Sequence, residues 1–163
     1  MQQQAIHLKV NGATYQTVAD AGDTLLHVLR EKLNFTGAKQ GCDGTGECGA
    51  CTILIQGKAV NSCLVLAINA VDKEIVTIEG LAKGTDLHPV QRAFLEYGAV
   101  QCGFCTPGMI MSTKALLDEN PNPTREEIIA SIRGNLCRCT GYVKIVEAIE
   151  HAAENYGKKE TLE

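Results

Sequence analysis

Eight cysteines in two blocks of four constrain this chain more than any other feature. Cys42, Cys48, Cys51 and Cys63 form the first block, and Cys102, Cys105, Cys137 and Cys139 the second. Each block offers four soft thiolates, enough to close one tetrahedral-sulfur metal site or one iron–sulfur cluster. Two such sites in 163 residues point to a carrier of electrons.

The blocks divide the chain near its middle, which predicts two small domains, residues 1–80 and 88–163, joined by a polar, glycine-containing linker at 81–87. Domains of this size have marginal cores, and metal sites often supply part of their stability. Trp is absent and aromatics are few, so aliphatic side chains must fill most of the interior. The net charge of −4 contains no basic stripe, which argues against nucleic-acid binding. Residues 1–10 lack a basic segment followed by an apolar run, and no apolar stretch reaches membrane-spanning length. A soluble, cytoplasmic protein is expected. Thiols stay reduced there, which favours metal ligation over disulfides.

The first half reads as β structure around one helix. Segments 5–10 and 13–18 flank Asn11-Gly12, a strong hairpin signal. Leu25, Leu26, Leu29 and Leu33 recur at helical spacing over 24–33, with Asp23 or Thr24 available as N-cap. A glycine-rich loop at 37–49 follows, then a second hairpin of 52–56 and 59–63 around Gly57-Lys58, then a strand at 74–78. Strands around one helix suggest a β-grasp. The second half predicts four helices: 88–97; 107–119 with Thr106 as N-cap and Pro107 in first position; 124–132 with a Thr124/Glu127 capping box; and 142–156 with Val143, Val146, Ile149 and Ala153 on one face. Short connections imply a bundle, so the fold class is α+β.

The first block has the spacing C-x5-C-x2-C-x11-C, with glycines at 41, 44, 46 and 49 among the thiols. A cluster needs backbone N–H donors near its sulfurs, and a chain with few side chains can wrap it. The pattern is close to plant-type C-x4-C-x2-C…C. The second block, C-x2-C-x31-C-x1-C, places its thiols beside the ends of the 107–119 and 124–132 helices. Helix N-terminal amides favour a thiolate cluster's negative charge. Structural zinc prefers two to four residues between paired ligands, so Cys-x-Cys points to iron–sulfur chemistry. A 2Fe–2S cluster in each block leads; structural zinc, disulfides and free thiols are the alternatives.

The segments around the cysteines carry a resemblance. Lys39-Gln40-Gly41-Cys42 with Glu47-Cys48-Gly49-Ala50-Cys51-Thr52 resembles the first cluster signature of the molybdenum hydroxylases, the xanthine oxidase family. Gln101-Cys102-Gly103-Phe104-Cys105-Thr106-Pro107-Gly108-Met109 and Gly134-Asn135-Leu136-Cys137-Arg138-Cys139-Thr140-Gly141-Tyr142 resemble the second and third. All three stand in the family's order and span nearly the whole chain, as in the separate small iron–sulfur subunit of bacterial members. The stretches 40–52 and 134–145 are similar to 4-hydroxybenzoyl-CoA reductase and xanthine dehydrogenase small subunits.

The resemblance implies a plant-type ferredoxin-like β-grasp domain and a four-helix domain, each with one 2Fe–2S cluster. It also implies a large partner subunit with molybdopterin beside the helical-domain cluster, and a medium subunit with a flavin, FAD, toward the other. Cys102, Cys105, Cys137 and Cys139 would then receive electrons from molybdenum, and Cys42, Cys48, Cys51 and Cys63 would pass them on. Gln101 matches the glutamine that contacts the pterin. One departure is the five residues between Cys42 and Cys48, where the family has four; the extra residue is expected to bulge toward solvent or a partner. A free-standing two-cluster ferredoxin is the alternative function, although a shuttle has no need of a bundle beside its second cluster.

His7, His27, His88 and His151 share no local spacing and read as structural or surface residues. Arg138, between two ligands, suits either the anionic cluster or a surface ion pair. Asp43 and Glu47 read as a solvated loop face, and 158–163 as a frayed charged tail. No G-x-G-x-x-G, P-loop or nucleophile–base arrangement is present, so no catalytic residue and no substrate-converting site is expected on this chain.

Overall fold

The computed structural model describes residues 3–156, which leaves the tail at 158–163 outside the described residues. Strand β1 (Gln3–Val10) buries Ile6, Leu8 and Val10 in strict alternation, the period of a strand with one dry face. It pairs antiparallel with β2 (Ala13–Asp20) through a turn in which Asn11 (φ 53°) and Gly12 (φ 82°) both adopt left-handed backbone. Those are the angles of a type I′ hairpin.

The second hairpin, β3 (Thr52–Ile55) and β4 (Lys58–Asn61), turns one residue earlier than the sequence suggests. Its corner is Gln56-Gly57, with φ of 51° and 79°, and Ile55 pairs with Lys58. A two-residue turn needs left-handed backbone twice, and Gly57 supplies it best at the second position. Strand β5 (Glu74–Val76) runs parallel to β1 and antiparallel to β3, giving the order β2-β1-β5-β3-β4.

One helix lies against this sheet. Thr24 caps it by accepting the His27 amide at 3.2 Å. One α-helical turn, α1 (Leu25–His27), then widens into a π-turn over Val28–Lys32, closed by Leu33 N–H to Val28 O at 3.0 Å. Leu25, Leu26, Val28 and Leu29 join Ile6, Leu8, Val10, Ile53 and Ile75 in the first core. This is the expected β-grasp.

Four helices follow: α2 (Pro89–Glu96), α3 (Thr106–Glu119), α4 (Arg125–Ser131) and α5 (Val143–Asn155). The Thr124/Glu127 capping box of α4 is formed, with Thr124 N–H donating to Glu127 at 2.7 Å. Two expectations need correction. The N-cap of α3 is Cys105 rather than Thr106, so Pro107 sits one position inside the helix, where its missing N–H still costs nothing. Helix α5 buries Ile145, Val146, Ala148, Ile149 and Ala152, while Val143 is 57% exposed. The buried face is broader and rotated because α5 packs against both α2 and α4.

The halves meet along α3, which lies on β3. Leu54 of β3 and Leu81 from the connecting segment are buried among the helices, with Val76 and Ile78 packed against them. Among the described residues, no helix is long and apolar enough to cross a membrane.

Candidate metal centres

The first block sits on a loop closed at its base by Lys39 N–H to Ala50 O at 2.9 Å. Arg30 holds the loop's entry, its guanidinium donating to the Thr36 and Ala38 carbonyls at 2.8 and 2.6 Å. Just after Cys42 the chain doubles back: Asp43 and Gly44 take φ of 53° and 86°, and Thr45 donates to Cys42 O from its amide at 3.2 Å and its hydroxyl at 3.0 Å. This turn takes up the long first gap. Asp43 and Thr45 are exposed, and the space beside Gly44 is open.

The β3–β4 ladder delivers the fourth thiol. Thr52 pairs with Asn61, and Ser62 Oγ donates to Cys51 O at 2.8 Å, so Cys63, in the 3₁₀ turn Ser62–Leu64, stands beside Cys51. Asn61 Nδ2 reaches Gly46 O at 2.8 Å and ties the loop to the sheet.

The second block gathers at the start of α3 and in the segment between α4 and α5. Gly103 (φ 81°) turns the chain between Cys102 and Cys105. Thr140 faces Cys137 with its hydroxyl at 3.1 Å and its amide at 3.5 Å from the sulfur. Tyr142, itself left-handed at φ 69°, accepts the Cys137 amide at 2.8 Å on its hydroxyl and donates to Asn135 O at 3.3 Å.

Within each block the thiols group two by two. In the first, the free thiol of Cys42 neighbours Cys48 and that of Cys51 neighbours Cys63. In the second, Cys105 neighbours Cys137, and Cys139 Sγ and Cys102 Sγ are 3.5 Å apart. The two pairs of a block still feel each other electrostatically, as Cys63 does Cys42 and Cys105 does Cys102. Among the described residues, no three His, Cys, Asp or Glu side chains converge as one metal ion requires. Four free thiols in each block are the soft donor set that a 2Fe–2S cluster would take, and the residues present fit that group.

The thiols are not equivalent. The Thr45 hydroxyl, then the Cys48 amide and thiol, bring Cys42 down to about 6. Burial and then the neighbouring thiol push Cys63, beside Cys51, and Cys105, beside Cys137, up to about 12. Burial also raises Cys48, whereas Cys139 is raised chiefly by its bond to Cys102. For Cys137 burial acts upward but the Thr140 hydrogen bonds outweigh it, and the net shift is downward.

The blocks touch each other. Leu136 N–H donates to Cys48 O at 2.9 Å, and the buried Asn135 carboxamide donates to Gly49 O at 2.9 Å. Sequence reasoning did not single out Asn135 or Tyr142 as structural ties. Their position inside the third cysteine signature was the one available signal. Gln101 lies exposed beside exposed Cys102, and Arg138 is exposed. His88 caps α2 by accepting the Val90 amide at 3.3 Å, and His151 meets Tyr97 OH at 3.0 Å. His7 and His27 are exposed.

Two family descriptions match in tandem, a 2Fe-2S iron-sulfur cluster binding domain over residues 8–78 and a [2Fe-2S] binding domain over 77–150. The nicotinate dehydrogenase small FeS subunit of Eubacterium barkeri is 50% identical over 91% of this chain and 94% of its own length. The chain belongs to the small 2Fe–2S subunits of the molybdenum hydroxylase family. The xanthine dehydrogenase iron-sulfur-binding subunit of Escherichia coli O157:H7 is 51% identical over 88% of this chain and 91% of that subunit. Among solved structures, a chain of quinoline 2-oxidoreductase from Pseudomonas putida 86 superposes with a TM-score of 0.90 at 43% identity, covering 95% of this chain and 96% of that one. The quinoline 2-oxidoreductase chain thus shares this β-grasp and helical architecture.

Proposed function

We propose that this chain is the electron-transfer subunit of a heteromeric molybdenum hydroxylase or dehydrogenase. It conducts single electrons between a molybdenum centre on a large partner subunit and a flavin or external acceptor. The two-by-two grouping of thiols in both blocks, on a chain of this family, carries the reading. Cys42, Cys48, Cys51 and Cys63 would hold one 2Fe–2S cluster, and Cys102, Cys105, Cys137 and Cys139 the other. Such a cluster supplies reversible one-electron exchange, tuned by its thiolates and their hydrogen bonds.

The chain's own residues hold the sulfurs, shield them and set their exposure. Cys51 and Cys63 are buried against the sheet, which shields the inner side of the first block. Cys102 and Cys139 are exposed, so the second block opens at the surface. Gln101 stands at that opening, and its carboxamide can donate and accept at once, which suits contact with a partner's molybdopterin. The other block would face the FAD of a medium subunit.

In this reading residues 1–80 and 88–163 form the two cluster domains, and Leu81, buried among the helices, anchors the start of the 81–87 linker. Substrate conversion belongs to the large subunit, and the complex works in the cytoplasm. Relatives named for nicotinate, xanthine and aldehyde chemistry are 50%, 51% and 45% identical to this chain, which accords with substrate choice made elsewhere.

The test is EPR of the dithionite-reduced protein purified with its natural partners, together with metal analysis. Two distinct signals, roughly four irons per chain and about one molybdenum per complex support the proposal. Zinc in place of iron, with no signal after anaerobic handling, overturns it.

A further inference from the structure

We infer that Asn135 is a positioning residue for electron exchange between the two blocks: its carboxamide fixes the spacing and orientation of the two cysteine-bearing loops. This rests on the reading that each block holds a cluster.

Asn135 is only 4% exposed and precedes Cys137 by two residues. Every bond its carboxamide makes reaches a distant segment. Oδ1 accepts the Ser112 hydroxyl of α3 at 2.8 Å. Nδ2 donates to Gly49 O at 2.9 Å and to Thr52 Oγ1 at 3.2 Å, both in or beside the first cysteine loop. One amide therefore joins the first loop, the second loop and the helix that starts at the second block.

Satisfaction of the Gly49 carbonyl does not account for this arrangement. Gly49 O already accepts the Thr52 amide at 3.1 Å and the Thr52 hydroxyl at 2.7 Å, which fills its two lone pairs without Asn135. The further donor is a tie between loops. The contact also has no slack. A methyl group at Gly49 would meet Gly134 O at 2.3 Å and Asn135 Nδ2 at 2.7 Å. At Gly108 it would meet Gly49 O at 2.4 Å. Three backbones approach as closely as glycine allows, with the carboxamide between them. Electron exchange falls steeply with separation, so a residue that pins two loops by their backbones sets the rate of exchange between whatever those loops carry.

The experiment uses the intact complex with wild-type chain, Asn135→Ala, Asn135→Asp, and Ile149→Val as a core change outside both blocks. Iron content, thermal stability, the EPR splitting from magnetic interaction between the reduced clusters, and the rate of electron redistribution after pulse reduction are measured. Both Asn135 variants are expected to keep iron in both blocks while the splitting shrinks and redistribution slows. Ile149→Val is expected to lower the melting temperature and leave both readouts unchanged. Wild-type splitting and redistribution in an iron-replete Asn135→Ala complex overturn the proposal and leave Asn135 a structural residue. If Asn135→Ala does not accumulate folded, Ser112→Ala, which removes the one hydrogen bond that Asn135 Oδ1 accepts, decides by the same readouts. Wild-type complex without iron overturns the cluster reading itself, a result distinct from the others.

Discussion

The amide of Leu136 donates to the carbonyl of Cys48 across 2.9 Å, joining a cysteine of the first block to the residue just before Cys137 of the second. The two residues lie eighty-eight positions apart in sequence. With the Asn135 carboxamide beside it, this bond ties the β-grasp to the bundle between the two cysteine blocks. Packing of α3 on β3 supports that joint from below, through Leu54 in the helical core.

Gly108 offers a steric test of the joint in a residue whose own backbone is helical. A Cβ there would stand 2.4 Å from the Gly49 carbonyl oxygen, a backbone atom that cannot swing aside. Alanine is favoured over glycine inside a helix by about 1 kcal/mol, so propensity alone predicts stabilisation. Overpacking costs typically ~1–3 kcal/mol and opposes it. The clash should win, because relief requires moving the first cysteine loop. Gly108→Ala is expected to lower the melting temperature by several degrees and to reduce iron occupancy of the first block more than of the second. Calorimetry and iron analysis check both.

Tyr142 holds the second block by an unusual route. A bulky residue in left-handed backbone costs roughly 1–3 kcal/mol, and here it places the hydroxyl between Cys137 N–H and Asn135 O. Phenylalanine keeps the strain and loses both bonds. Leaving a partly buried amide without a partner costs about 1–3 kcal/mol. Tyr142→Phe is therefore expected to destabilise the helical half. It should also shift the reduction potential of the second cluster while the first stays unchanged, measurable by EPR-monitored titration.

How far the sequence anticipates all this follows from the range of the interactions. Asn11-Gly12 specified its hairpin because turn chemistry is local, and the Thr124/Glu127 box specified the start of α4 for the same reason. Gln56 at the corner of the second hairpin was not legible, since its positive φ is imposed by the ladder on either side. Val143 fell on the wrong face because contact with two helices, not periodicity, decides what α5 buries. The cysteine blocks were legible as blocks. Their two-by-two pairing, and the ties through Asn135, Ser112 and Tyr142, depend on segments brought together from far along the chain. The second role of Asn11 was likewise hidden: its carboxamide accepts the Thr77 amide and donates to the Thr77 hydroxyl, both at 2.9 Å, fastening the first hairpin to the end of β5.

Acid should loosen the first half by way of Asp23. Its carboxylate accepts Lys32 Nζ at 2.6 Å and the Asp20 amide at 3.0 Å, and these contacts hold it below its usual value near 3.8. A carboxyl depressed in the folded state contributes stability that is complete above its unfolded value and is lost as pH falls through the folded one. Wild-type stability should therefore decline below about pH 4. Asp23→Asn should be less stable at neutral pH and show a shallower decline over the acid range. Denaturant unfolding at a series of pH values checks the slope; equal slopes in the two proteins would remove Asp23 from the account.

The two blocks should lose their metal independently, and the outer thiols are the ones to test. Serine at buried Cys51 or Cys63 would disturb the core of the sheet as well as the ligand set, so loss of iron there would be ambiguous. Cys42 is half-buried and Cys102 exposed, so serine at either removes a soft ligand with little effect on packing. Each block is wrapped by its own backbone: the 42–45 turn and the Asn61 and Ser62 contacts for the first, Thr140 and Tyr142 for the second. Cys42→Ser should then abolish one EPR signal and about half the iron, and Cys102→Ser the other signal and the other half, with the surviving signal unchanged in shape. If either variant loses both signals while its far-ultraviolet circular dichroism stays that of the wild type, the blocks assemble as one unit, and the Cys48–Leu136 bond couples their loading as well as their position.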